Sequence, residues 1–136
     1  MQVNPYLTFD GCCEAAFRFY ESCLGGKISA MIPHRETPAA EHVPPDWQDK
    51  IIHAQLDLDG QLLMGSDAPP EHYEASQGFS VTLCIDDPDE AERVFNALAK
   101  DGSVRMPMEE TFWARRFGML VDGFGIPWMI NCNRPE

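Results

Sequence analysis

The strongest constraint on this chain is that it aligns with itself. Shifted by 76 residues, Leu7 falls on Leu83, Asp10 on Asp86, Glu14 on Glu90 and Ala15 on Ala91. Phe19 then falls on Phe95 and Gly26 on Gly102. A second shift, of 65, matches the ends of the halves: Asp57 with Asp122, Gly60 with Gly125, Met64 with Met129. Self-similarity at a fixed offset marks a duplicated structural unit. The offset falls from 76 to 65, so the first half holds eleven extra residues. The stretch 33–48 reads as the loop that carries them, with Pro33, Pro38, Pro44 and Pro45 and few apolar side chains.

Each half predicts the same order of elements, β-α-β-β-β. Tyr6 to Phe9 and Ser80 to Ile85 are short aromatic or β-branched runs, hence strands. A helical pattern follows each. Cys13, Ala16, Phe17, Tyr20 and Leu24 form one apolar stripe, stopped at Gly25-Gly26. Ala91, Val94, Phe95 and Leu98 form the other, with Asp87 as cap, Pro88 at the first helical position, Glu90 completing a capping box and Gly102 as stop. Both stripes predict core. The later strands are Lys27 to Ile32, Lys50 to Leu58 and Gln61 to Met64, then Ser103 to Met108, Phe117 to Val121 and Ile126 to Cys132. Ile52, Ala54, Leu56 and Leu58 alternate with His53, Gln55 and Asp57, the pattern of a half-buried strand. Asp59-Gly60 and Phe124-Gly125 predict hairpin turns. The expected organisation is a single α+β domain over 1–136. The first unit covers 1–66, a linker 67–78 and the second unit 79–136.

Charge narrows the partners. Asp and Glu number 22 against 10 Lys and Arg, a formal net charge of -12. Such a chain repels phosphate backbones, so nucleic acid is not an expected partner. An anionic membrane surface is disfavoured for the same reason, and no stretch has the length and apolarity of a membrane span. The five cysteines, Cys12, Cys13, Cys23, Cys84 and Cys132, are odd in number and form no CxxC pair. They read as free thiols in a reducing compartment, and the N-terminus has no signal pattern, so a cytoplasmic location is expected.

Several motifs stand in a recognisable order. Pro5-Tyr6-Leu7-Thr8-Phe9-Asp10-Gly11 runs into Glu14-Ala15-Ala16-Phe17-Arg18-Phe19-Tyr20 and Leu24-Gly25-Gly26. Ile52-His53-Ala54-Gln55-Leu56 and Leu63-Met64-Gly65-Ser66-Asp67 follow. Phe112-Trp113, Arg116-Phe117-Gly118 and Asp122-Gly123-Phe124-Gly125-Ile126-Pro127-Trp128 close the series. In these motifs the whole chain resembles the vicinal oxygen chelate superfamily (glyoxalase, bleomycin resistance, extradiol dioxygenase), and most of all its PhnB-like branch. The resemblance implies two tandem βαβββ units forming a curved mixed sheet, and a homodimer. That branch often carries the label 3-demethylubiquinone-9 3-methyltransferase. A methyltransferase of the usual kind holds its cofactor in a Rossmann-like sheet with a glycine-rich first turn, which these residues lack.

The resemblance also says where a metal would sit, on the first and last strands of each unit. The repeat puts Asn4, Ser80, Met64 and Met129 at those positions. A catalytic divalent cation wants imidazole and carboxylate, not a neutral amide, a hydroxyl and two thioethers. No metal ligand is therefore assigned and no cofactor is expected.

The candidate ligand-binding residues are His53, Met64, Trp113, Arg116, Trp128 and Met129. His53 shares a strand face with Gln55 and Asp57 and can serve as a pocket base. Phe112 and Trp113 beside Arg115 and Arg116 can clamp a planar or anionic ligand. Met64 and Met129 suit a pocket wall, and one of Trp128 and Met129 must face the cavity because strand side chains alternate. The expected function is binding of a small, partly hydrophobic molecule without a metal. The alternative is a metal-dependent lyase, isomerase or dioxygenase of the same superfamily with a non-standard ligand set. The residues leave open whether the chain is an enzyme.

Overall fold

The computed structural model describes residues 1–134. The chain divides into two compact units, Met1–Ala75 and Ser76–Glu136. The expected element order is present in both.

In the first unit, β1 (Tyr6–Phe9) leads into α1 (Cys13–Leu24), then β2 (Lys27–Pro33), β3 (Ile51–Leu58) and β4 (Gln61–Asp67). The sheet order is β1-β4-β3-β2, with β1 parallel to β4 and the other pairs antiparallel. One face is covered by α1, whose Cys13, Ala16, Phe17, Tyr20 and Cys23 are buried. Cys23 takes the place expected of Leu24, which is half-buried. Phe17 packs edge-on to both Phe9 and Tyr20. Burying a side chain of that size contributes about 2–3 kcal/mol. The proline-rich stretch is not featureless: it forms 3-10 turns at His34–Glu36, Pro38–His42 and Pro45–Trp47. His34, expected in solvent, is buried there, and its Nδ1–H donates to the Lys50 carbonyl at 2.8 Å.

Strand β4 runs to Asp67, into the stretch read as linker, and the reason is chemical. Asp67 is buried and its carboxylate accepts from three backbone N–H groups: Gly11 (3.0 Å), Cys13 (2.9 Å) and Ile51 (2.9 Å). Helix α1 has no side-chain cap of its own. A carboxylate from β4 stands at its N-terminus instead, where the helix dipole favours negative charge.

In the second unit, β5 (Val81–Cys84) leads into α2 (Pro88–Leu98), β6 (Ser103–Glu109), β7 (Ala114–Val121) and β8 (Pro127–Asn133). The order β5-β8-β7-β6 repeats the first sheet, again with one parallel pair. Ala91, Val94, Phe95 and Leu98 are all buried, as the stripe predicts. Asp87 caps α2 through Asp89 N–H at 3.1 Å. The expected capping box is not formed, because Glu90 turns outward to Arg93, with Nε donating at 2.9 Å. The last hairpin is built on buried Asp122, which accepts from the N–H of Phe124 (2.8 Å) and Ile126 (3.0 Å).

The parallel pair repeats its register residue for residue. Tyr6 pairs with Met64 in the first sheet and Thr82 with Met129 in the second. These are the 76- and 65-residue offsets of the sequence, now expressed as strand pairing.

Candidate functional site

Each sheet has one face against its helix and one turned away. In the first unit the row Leu7, Gly65, Ala54 looks toward α1. A Cβ on Gly65 would lie 2.8 Å from Phe17 Cε1, which shows how close the helix comes. The neighbouring row, Tyr6, Met64 and Gln55, therefore looks the other way, and so does His53 two residues before Gln55.

That helix-free face carries a linked polar chain. Tyr6 Oη lies 3.2 Å from His53 Nδ1, and the two rings stack with centroids 5.8 Å apart and planes 29° apart. His53 Nε2 lies 2.8 Å from Gln55 Oε1, and Gln55 Nε2 donates to Ser29 Oγ at 3.4 Å. His53 and Met64 are brought together with Tyr6, a residue that sequence reasoning did not select. Its signal was present: Tyr6 is one strand row from the position expected to hold a metal ligand.

In the second unit the row Thr82, Met129, Met119, Met106 lies on the helix-free face, with Asn131 and Phe117 in the next row but one. Trp113 packs edge-on to Phe117 (centroids 5.3 Å) and to Phe112 (4.8 Å), extending the apolar strip. Asn131 Nδ2 donates to Asn133 Oδ1 at 2.6 Å, while its own Oδ1 is shielded from solvent and has no partner. A cavity of about 600 Å³ sits beside this row, lined among others by Phe79, Ser80, Arg105, Met119 and Met129.

Two candidates turn toward the helix. Trp128 alternates with Met129 and points to the α2 side, 1 % exposed, where its indole N–H donates to Asp122, and it also borders the cavity. Arg116 pairs with Cys132 on that same side and reaches Glu92 of α2, Nε to Oε1 3.4 Å. The shared reason is parity. Gly118 lies against Phe95 and pairs with Ile130, so side chains two residues from either one, Trp128, Cys132 and Arg116, share the helix face. Met129 and Trp113 remain on the helix-free side.

The residues at the inherited metal positions do not suit a catalytic cation. Asn4 makes only an exposed contact with Gln2, Ser80 precedes β5, and Met64 and Met129 offer soft thioethers. Among the described residues no three His, Cys, Asp or Glu side chains converge on a point where a metal could be held. No membrane-length apolar helix is present among them either.

Comparison with known proteins is consistent along the whole chain. A family model described as 3-demethylubiquinone-9 3-methyltransferase matches residues 1–131. Protein YjdN of Escherichia coli K12 is 37 % identical, over all of this chain and 98 % of its own length. The crystal structure of PA1353 from Pseudomonas aeruginosa superimposes with a TM-score of 0.90 at 48 % identity, covering 99 % of both chains. A PhnB protein from Bacillus cereus gives 0.81 at 26 % identity, over 97 % and 99 %. A glyoxylase/bleomycin resistance protein/dioxygenase domain from Frankia shares the fold, with a TM-score of 0.66 at 13 % identity over 98 % and 95 %. The sequence motifs, the doubled βαβββ topology and these matches agree, and the chain belongs to the PhnB-like family of the glyoxalase/bleomycin-resistance fold, the one the 3-demethylubiquinone-9 3-methyltransferase model describes.

Proposed function

We propose that this chain binds a small, partly hydrophobic molecule without using a metal. The observation that carries the reading is the cavity beside Met119 and Met129, with Phe79 on its wall and Arg105 at its edge. Methionine side chains are flexible and polarisable, and they adapt to irregular apolar ligands. Arg105, Ser76, Gln77 and Ser80 are the few polar residues on its wall that would orient one. Of the candidates, Met129 and Trp128 line this cavity, Trp113 extends the apolar strip of the same unit, and His53 and Met64 belong to the helix-free face of the first unit. The family resemblance adds a homodimer, and the free thiols fit a cytoplasmic location.

A thermal-shift screen of small organic molecules and of Zn, Ni and Mn tests this. The expected result is stabilisation by an apolar or aromatic compound, lost in Met129→Lys, with no response to the metals. About one equivalent of tightly held metal in the purified protein, removed with activity by chelation, would overturn it in favour of a metal-dependent enzyme. Light scattering reads the homodimer directly.

A further inference from the structure

The first unit carries a second polar device, independent of the cavity beside Met129. Gln55 Oε1 faces His53 Nε2 at 2.8 Å. An amide oxygen only accepts, so the proton of the neutral imidazole is on Nε2. Nδ1 then carries a lone pair, and the Tyr6 hydroxyl, 3.2 Å away, donates to it. The Tyr6 hydrogen is thereby committed to His53. What remains on the phenol oxygen is acceptor capacity, on a side chain that is 46 % exposed.

We propose that Tyr6 is a ligand-binding acceptor whose polarity is fixed by His53 and Gln55, and that its ligand is a planar molecule presenting a hydroxyl donor. The surroundings fit that class. Tyr6 stacks on His53 with the two planes 29° apart, and Met64 stands beside Tyr6 in the same strand row, so a planar ligand meets ring and thioether together. Gln55 is held in turn by Ser29. A ligand hydroxyl donating to Tyr6 Oη extends one continuous chain of donors: ligand to Tyr6, Tyr6 to His53, His53 to Gln55, Gln55 to Ser29. Chains aligned this way polarise one another and strengthen each bond. A ligand that only accepts finds no free proton here. Tyr6 touches the ligand; His53 and Gln55 are positioning residues.

The test uses 4-methylphenol, which keeps its proton at neutral pH, and 4-methylanisole, in which a methyl group replaces that donor hydrogen, with affinity measured by equilibrium dialysis. The intact chain should bind the phenol about tenfold more tightly, the effect of one hydrogen bond between ligand and site. Tyr6→Phe should abolish the preference and leave 4-methylanisole affinity unchanged. Gln55→Leu, which frees the imidazole to take either tautomer, should shrink the preference without touching Tyr6. Equal affinity for the two probes in the intact chain, or a preference that survives Tyr6→Phe, overturns the proposal. So does failure of both probes to bind. Met129→Lys separates the two readings: it should impair the second-unit cavity and leave this preference intact.

Discussion

The indole N–H of Trp128 donates to Oδ2 of Asp122 at 2.8 Å, closing the final hairpin from inside. The other carboxylate oxygen already accepts from Phe124 and Ile126. Asp122 is 3 % exposed, so its charge is sustained by these donors rather than by water. Asp122→Ala removes an acceptor shared by three N–H donors and is expected to cost about 3–4 kcal/mol. Trp128→Phe keeps the ring and loses one bond, at about 2 kcal/mol. Urea unfolding reads both as a lower midpoint at an unchanged slope. A loss below 1 kcal/mol for Asp122→Ala would mean that the hairpin does not depend on this carboxylate.

Asp67 does the same work in the first unit by joining three elements at one point. Its carboxylate ties the end of β4 to the start of α1 and to the start of β3. Asp67→Asn retains one acceptor oxygen and is expected to cost about 2 kcal/mol; Asp67→Ala should cost about 3–4 kcal/mol. Hydrogen exchange separates this from general loosening. The Cys13 and Ile51 amides should lose protection before those in the middle of β3.

The fold was legible because its signals are periodic and repeated. Two offsets located both sheets, and Ala91, Val94, Phe95 and Leu98 lie on the buried face that their spacing implies. The two aspartates were less legible. Asp122 was visible as a repeat of Asp57, yet Asp57 accepts only the Gly60 N–H and is half-buried, while Asp122 gathers three donors. Identity of residue type carried no information on burial. The candidate site was half legible for a similar reason. Alternation says that Trp128 and Met129 face opposite ways; only packing against α2 says which way each one faces. Arg116 shares the parity of Gly118 and so faces the helix, which the polarity of its neighbours does not announce. Tyr6 was passed over because its partner, His53, lies 47 residues away in the chain.

Each sheet contains one glycine that makes room for a helix aromatic. A Cβ at Gly65 would come within 2.8 Å of Phe17 Cε1 and 2.9 Å of the Leu7 carbonyl oxygen. At Gly118 it would come within 2.7 Å of Phe95 Cε2 and 3.1 Å of the Met106 carbonyl oxygen. Backbone oxygens cannot step aside as side chains do. Gly65→Ala and Gly118→Ala are each expected to cost about 1–3 kcal/mol by overpacking. Pairing Gly65→Ala with Phe17→Leu should recover part of the loss, because the contact is shared. Full additivity of that pair would rule out Phe17 as the obstacle.

The thiols should separate by reactivity. Cys84 is exposed, whereas burial, reinforced by Asp10 and Asp67, pushes the Cys12 thiol up to about 11 from an ordinary 9.0. At neutral pH that leaves about a hundredfold less thiolate at Cys12 than an unperturbed thiol would have. Cys13 is raised further, first by burial and then by Asp67. Iodoacetamide at neutral pH, followed by peptide mapping, should label Cys84 first and Cys12 at least tenfold more slowly, with the difference erased in urea. The same shift has a sign in stability. The folded chain holds Cys12 protonated where the unfolded chain ionises. Its contribution is therefore complete below about pH 9 and is lost as pH rises through about 11. Cys12→Ser should flatten the alkaline limb of the stability profile and leave the neutral region parallel. An unchanged alkaline limb would show that this thiol ionises in the folded chain as readily as in the unfolded one.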